Sequence, residues 1–244
     1  MNKMTIPLVP KEYSCIECND FRLWHEKNET KTNIDLIIDS ASYALAQLFT
    51  KLRFKNRRRI DICLYHSNEQ AVSCLDRRIP GNMAMAPYST DKGSLIIVQN
   101  AIADPMNADP ERMRRIFAHE ICHLFVREKS GSTAFLGDGL KDMRVRPWLD
   151  EGLAEYLSWL CIGKSNPMLQ DSCEYIDNLD DVDRFLNDFT SDKRKLAFYT
   201  SSCHVQSLVE EFGINNIFES MTKQSEKGYL PATAFKAPAK SRRV

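Results

Sequence analysis

No segment of this chain is apolar for long enough to cross a bilayer. Charge of one sign is not in excess: Lys+Arg and Asp+Glu number 33 each, so the formal net charge is zero. That balance removes any global pull toward nucleic acid or an anionic membrane. The aromatic residues are not interleaved with basic ones in a nucleic-acid-reading pattern. The arginines at 57, 58 and 59 and at 242 and 243 read as solvated surface. Met1 to Tyr13 holds no sustained apolar run and is broken by Pro7 and Pro10, unlike a secretory leader. No GxSxG nucleophile elbow occurs. Gly163-Lys164-Ser165 looks like the end of a phosphate loop, but Ser158 stands where that loop requires glycine. There is no internal repeat. What remains is a protein expected in the cytoplasm, with neither nucleic acid nor membrane as partner.

The eight cysteines read as free thiols rather than as a disulfide framework. Cys63, Cys74, Cys122, Cys161, Cys173 and Cys203 are scattered, most of them within apolar or helical patterns, as small core residues are. Cys15 and Cys18 make the one CxxC pair. A zinc knuckle needs a second pair, and His25 alone does not supply it.

The sequence predicts an α+β chain. Residues 1–32 read as an irregular N-terminal extension, followed by one domain over 33–229 and a disordered tail over 230–244. Within the domain, 33–108 contains the sheet and 109–229 is helical. Asn33 is the expected cap of a first helix, whose apolar stripe runs Ile34, Ile37, Ile38, Ala41, Leu45, Leu48 and Leu52. Ile60 to Tyr65 reads as a strand and Glu69 to Leu75 as a short helix. Asn82 to Tyr88 and Ser94 to Val98 read as a hairpin. Asp109-Pro110 is a strong helix start, a capping side chain followed by proline at the first helical position. Helices are then expected over Glu111 to Glu128, Pro147 to Ile162, Val182 to Phe189, Leu196 to Phe212 and Ile214 to Lys223, with Gly213 stopping the fourth.

The chemistry lies in the first of these. His119-Glu120-Ile121-Cys122-His123 is an HExxH pattern. Two histidines four apart on a helix share one face, so both imidazoles can bind one zinc ion, while Glu120 is placed to reach a water as general base. A catalytic zinc takes three protein ligands and leaves a position for water. The metzincin pattern does not supply the third: Lys129 stands where it needs histidine, and Val126 where it needs glycine.

Downstream lies Trp148-Leu149-Asp150-Glu151-Gly152-Leu153-Ala154-Glu155-Tyr156. HExxH followed by this segment resembles the gluzincin branch of zinc peptidases, the thermolysin-like enzymes among them. The resemblance covers roughly residues 60 to 223. It implies Glu151 as third zinc ligand and Glu155 as the carboxylate that holds a zinc-binding histidine. Gly152 and Ala154 would let this helix approach the zinc helix closely. The resemblance also implies a zincin-like fold, a small mostly antiparallel sheet ahead of a helical half, with an edge strand (Ser94 to Val98 or its hairpin partner) pairing with extended peptide. Tyr199, on the following helix, would donate to the oxyanion of a tetrahedral intermediate; His204 is a rival for that role. One departure is the spacer: the 27 residues 124–150 separate His123 from Glu151, longer than in those enzymes. The excess falls in Lys129 to Arg146, an expected loop beside the site that leaves Asp138 and Asp142 as rival ligands.

The expected function is zinc-dependent hydrolysis of peptide bonds in a peptide or protein substrate, with Glu120 moving the proton. The alternatives are a zinc amidohydrolase acting on a non-peptide amide and a non-catalytic binding protein that keeps the scaffold.

Overall fold

A computed structural model describes residues 9–53, 59–75, 84–90, 93–99, 109–131, 145–167, 175–188 and 190–225. The architecture is α+β. Strands β1 (Ser14–Glu17) and β2 (Phe21–His25) form a hairpin, followed by helix α1 (Lys31–Leu52), strand β3 (Ile60–Tyr65) and helix α2 (Asn68–Leu75). Strands β4 (Ala84–Thr90) and β5 (Gly93–Gln99) complete a five-stranded sheet in the order β1-β2-β3-β5-β4. Five helices follow: α3 (Pro110–Ser130), α4 (Pro147–Cys161), α5 (Leu179–Asn187), α6 (Arg194–Phe212) and α7 (Ile214–Ser225).

Three expectations about the first half need correction. Residues 14–25 are not irregular: they supply two strands, and β2 pairs with β3 across the boundary expected at residue 32. Phe21, Leu23 and His25 are buried on one face of β2, an alternation too short to stand out beside mixed charge. The cap of α1 is Thr30, whose hydroxyl accepts the Asn33 N–H at 3.2 Å; Asn33 is inside the helix. The sheet is mixed rather than mostly antiparallel. β1–β2 and β4–β5 are antiparallel, whereas β2–β3 and β3–β5 are parallel. The cause is the connection: α1 carries the chain back between β2 and β3, and such a crossover delivers a parallel neighbour.

β3 is the central strand, and all its residues but Asp61 are buried. Asp61 receives a two-pronged ion pair from Arg22 at 2.7 Å in the adjacent register and a hydrogen bond from Trp24 Nε1 at 2.9 Å. β4 and β5 do form a hairpin, with an irregularity between Met85 and Tyr88; among the described residues β1 and β4 are the sheet's two edges and β5 is internal. One apolar core runs from Leu23, Ile60 and Ile62 through Ile37, Leu45 and Leu48 of α1 to Phe117, Ile121 and Phe125 of α3 and Leu153 of α4. Phe49 of α1 stacks on Phe125 with ring centroids 5.8 Å apart. Cys63, Cys122 and Cys161 are buried, as expected of core residues, whereas Cys203 is half-buried. No described helix is long and apolar enough to cross a membrane. The expected tail over 230–244 and the expected loop residues 132–144, with Asp138 and Asp142, lie outside the described residues.

Candidate metal centre

Helix α3 is bounded as its sequence dictates. Asp109 accepts the Glu111 N–H at 3.1 Å, Pro110 opens the first turn, and Gly131 ends the helix at φ 62°, a left-handed geometry that glycine adopts without strain. The helix packs on α1, α4, α7 and edge strand β4, so its middle turns lie between the sheet and the helical half. His119 and His123 project from one face, with ring centroids 4.9 Å apart and planes at 80°. Their Nε2 atoms stand 3.2 Å from each other.

Helix α4 brings the third group. Its N-cap, Arg146, makes no side-chain capping bond. Asp183 of α5 does that from outside, accepting the Trp148 N–H at 2.8 Å while receiving Arg146 Nε at 2.5 Å. One turn further on, Glu151 Oε2 lies 3.4 Å from His119 Nε2 and 3.5 Å from His123 Nε2. His119, His123 and Glu151 each offer one ligand atom, all within 4.8 Å of one another.

The far side of each ring is held as well. His123 Nδ1 faces Asp150 Oδ1 at 2.7 Å, and His119 Nδ1 faces Glu155 Oε2 at 3.3 Å. A carboxylate on Nδ1 fixes the proton there and leaves the Nε2 lone pair for a cation. The role expected of Glu155 thus has a geometric counterpart. Asp150 was missed by sequence reasoning, which looked one turn beyond Glu151 and not one residue before it. The available signal was a second carboxylate adjacent to the expected ligand.

These donors fit a metal ion on their own chemistry. Glu151 Oε2 is buried and satisfied by no hydrogen bond, although both Nε2 atoms face it. Burial pulls the His119 pKa down, but the facing carboxylates of Glu151 and Glu155 outweigh it and raise it to about 9. Burial likewise opposes the charged form of His123, and Asp150 and Glu151 lift it well above its ordinary value. Burial would push Glu151 up, yet His123 and His119 hold it well below the usual carboxylate range. At 3.2 Å the two Nε2 atoms cannot both carry a hydrogen aimed at the other. A divalent cation between neutral imidazoles and the carboxylate relieves that conflict, and two imidazoles with one carboxylate suit a borderline metal.

Glu120 is buried and outside the ligand trio. Burial raises its pKa, against the lowering influence of His119 and His123.

Tyr199 and His204 lie on α6, both buried and neither in the trio. His204 packs against the Trp148 ring at 5.8 Å and is hydrogen-bonded by the Tyr175 hydroxyl. Burial lowers its pKa to about 4, so it is neutral at pH 7. The α6 backbone meets α4 immediately beside the third ligand: a Cβ on Gly152 would stand 2.6 Å from Ser201 O and 2.7 Å from Val205 Cγ2. Gly152 therefore admits α6, not the histidine helix as expected. The stretch from Tyr199 to His204 runs past this contact. Cys15 and Cys18 are not part of any metal-holding group among the described residues.

No family model matches the sequence, and no curated protein matches it.

Proposed function

We propose that this chain is a zinc-dependent hydrolase of the gluzincin type that cleaves peptide bonds. One observation carries the proposal: two imidazole Nε2 atoms and a buried, unsatisfied carboxylate oxygen converge, while separate carboxylates hold both Nδ1 atoms from behind. A structural ion pair has no need of that double orientation, whereas a catalytic metal does. His119, His123 and Glu151 would hold the ion. When bound, zinc supplies Lewis acidity, which acidifies water and polarises a carbonyl.

The remaining work falls to the chain. Glu120 accepts the proton of the attacking water and passes it to the departing amine. Asp150 and Glu155 keep the rings aimed. Tyr199 or His204 donates a hydrogen bond to the developing oxyanion, His204 through whichever nitrogen carries its proton. Among the described residues β4, packed on α3, is an edge of the sheet, the position at which an extended peptide adds a strand; β5 is internal. That edge supports a peptide over a compact non-peptide amide. The described cysteines form no disulfide, which suits a reducing compartment such as the cytoplasm.

The test is cleavage of a peptide library, read by mass spectrometry, by the zinc-loaded wild type and Glu120→Gln. Glu120→Gln is expected to retain zinc and to lose roughly 10²- to 10⁴-fold in rate, the usual contribution of a general base. Full activity in that variant would rule out Glu120 as the base.

A further inference from the structure

His119 is the less firmly anchored of the two histidines. Its side chain is 16% exposed against 7% for His123, and its carboxylate contact is 3.3 Å against 2.7 Å. What holds it therefore depends on how well Glu155 itself is held. Glu155 has an outer layer of its own. Trp159, four residues on along α4, donates Nε1–H to Glu155 Oε1 at 2.9 Å. Arg115, four residues before His119 on α3, reaches Oε1 at 3.3 Å and Oε2 at 3.4 Å through Nη1. The Arg115 guanidinium also lies over the Trp159 ring, 4.7 Å from its centroid.

We propose that Arg115 and Trp159 are positioning residues for the metal centre, acting through Glu155 to aim the His119 ring. The reasoning is geometric. A glutamate carboxylate turns easily about its last torsion, so a single contact to an imidazole does not fix it. Trp159 occupies Oε1 from one side and Arg115 ties both oxygens to α3. The carboxylate plane is then set, and Oε2 is presented to His119 Nδ1. The guanidinium stacks on the indole, so each of the two fixes the other. The chain Trp159–Glu155–His119 thus links α4 to α3, one turn away from the direct link that Glu151 provides.

This inference rests on the metal-centre reading, and its test separates the two. Zinc dissociation constants are measured by competition with a chromophoric chelator for the wild type, Trp159→Phe and Arg115→Met. The visible absorption bands of each cobalt-loaded protein are recorded as well. Trp159→Phe keeps an aromatic face for the Arg115 guanidinium and removes the indole N–H together with the five-membered ring that carries it. The expected result is tight binding by the wild type, about tenfold weaker binding in each variant, and displaced cobalt bands at saturating metal, with the melting temperature of the metal-free proteins unchanged. Wild-type affinity and unchanged bands in both variants would overturn the proposal. So would weaker binding with unchanged bands and a lower metal-free melting temperature, which marks a merely structural role. Failure of the wild type to bind zinc would instead overturn the metal centre itself, and this inference with it.

Discussion

His119 and His123 owe their meeting to the helical period: four residues apart, they present Nε2 atoms 3.2 Å from one another. That much is legible in the sequence, as is Glu120 between them. Glu151 and Glu155 were legible only by resemblance, because the distance along the chain to α4 carries no geometric constraint of its own. Asp150 was hidden by the habit of scanning at helical offsets; it sits about 100° round the helix from Glu151, enough to reach Nδ1 while Glu151 faces Nε2. Gly152 was seen as a close-approach residue but assigned to the wrong neighbour, since a glycine announces proximity and not a partner. At this scale His204 gives a pH prediction. Its folded pKa, depressed to about 4 by burial, lies below the ordinary value of 6.5. The unfolded chain then takes up a proton that the folded protein refuses, so the contribution of neutral His204 is complete above pH 6.5 and is lost as pH falls toward 4. Urea midpoints of wild type and His204→Gln between pH 7.5 and 4.5 should converge as the pH falls. Parallel curves would mean that His204 is not held neutral.

The elements show a different division. Helices α3 to α7 were readable from capping residues and apolar period, because those signals are local; the expected and observed ends differ by a few residues. Strand pairing was readable only for the β4–β5 hairpin, because beyond a tight turn the neighbour of a strand is decided by what crosses between. α1 between β2 and β3 makes that pair parallel, and β3 takes β5 as its next neighbour in place of β4, which nothing within either strand announces. The start of α4 is another non-local device. Arg146 cannot cap it, so the carboxylate of Asp183, 4% exposed, closes the first turn from α5 and pairs with Arg146, 11% exposed. Replacing Asp183 with Ala leaves a nearly buried guanidinium without that partner and an N–H without its acceptor. The expected cost is about 3 kcal/mol in the urea unfolding free energy of the metal-free protein. A cost below about 1 kcal/mol would show that α4 is fixed by packing alone.

For the molecule as a whole, one core joins sheet and helices, and α3 runs between them with the charged cluster along one side of its middle turns. Four carboxylates and two imidazoles are buried or nearly so within this cluster: Glu120, Asp150, Glu151, Glu155, His119 and His123. Such a collection is costly without an ion to organise it, and folding alone gives no reason to keep it. The claim that everything else depends on is therefore the ion. Zinc content per chain, measured by elemental analysis after dialysis against trace zinc, tests it most directly in the wild type and in Glu151→Ala. The prediction is one zinc per wild-type chain and a sharply lower content in Glu151→Ala. No zinc in the wild type, or an unchanged one-to-one ratio in the variant, would contradict the centre built from His119, His123 and Glu151.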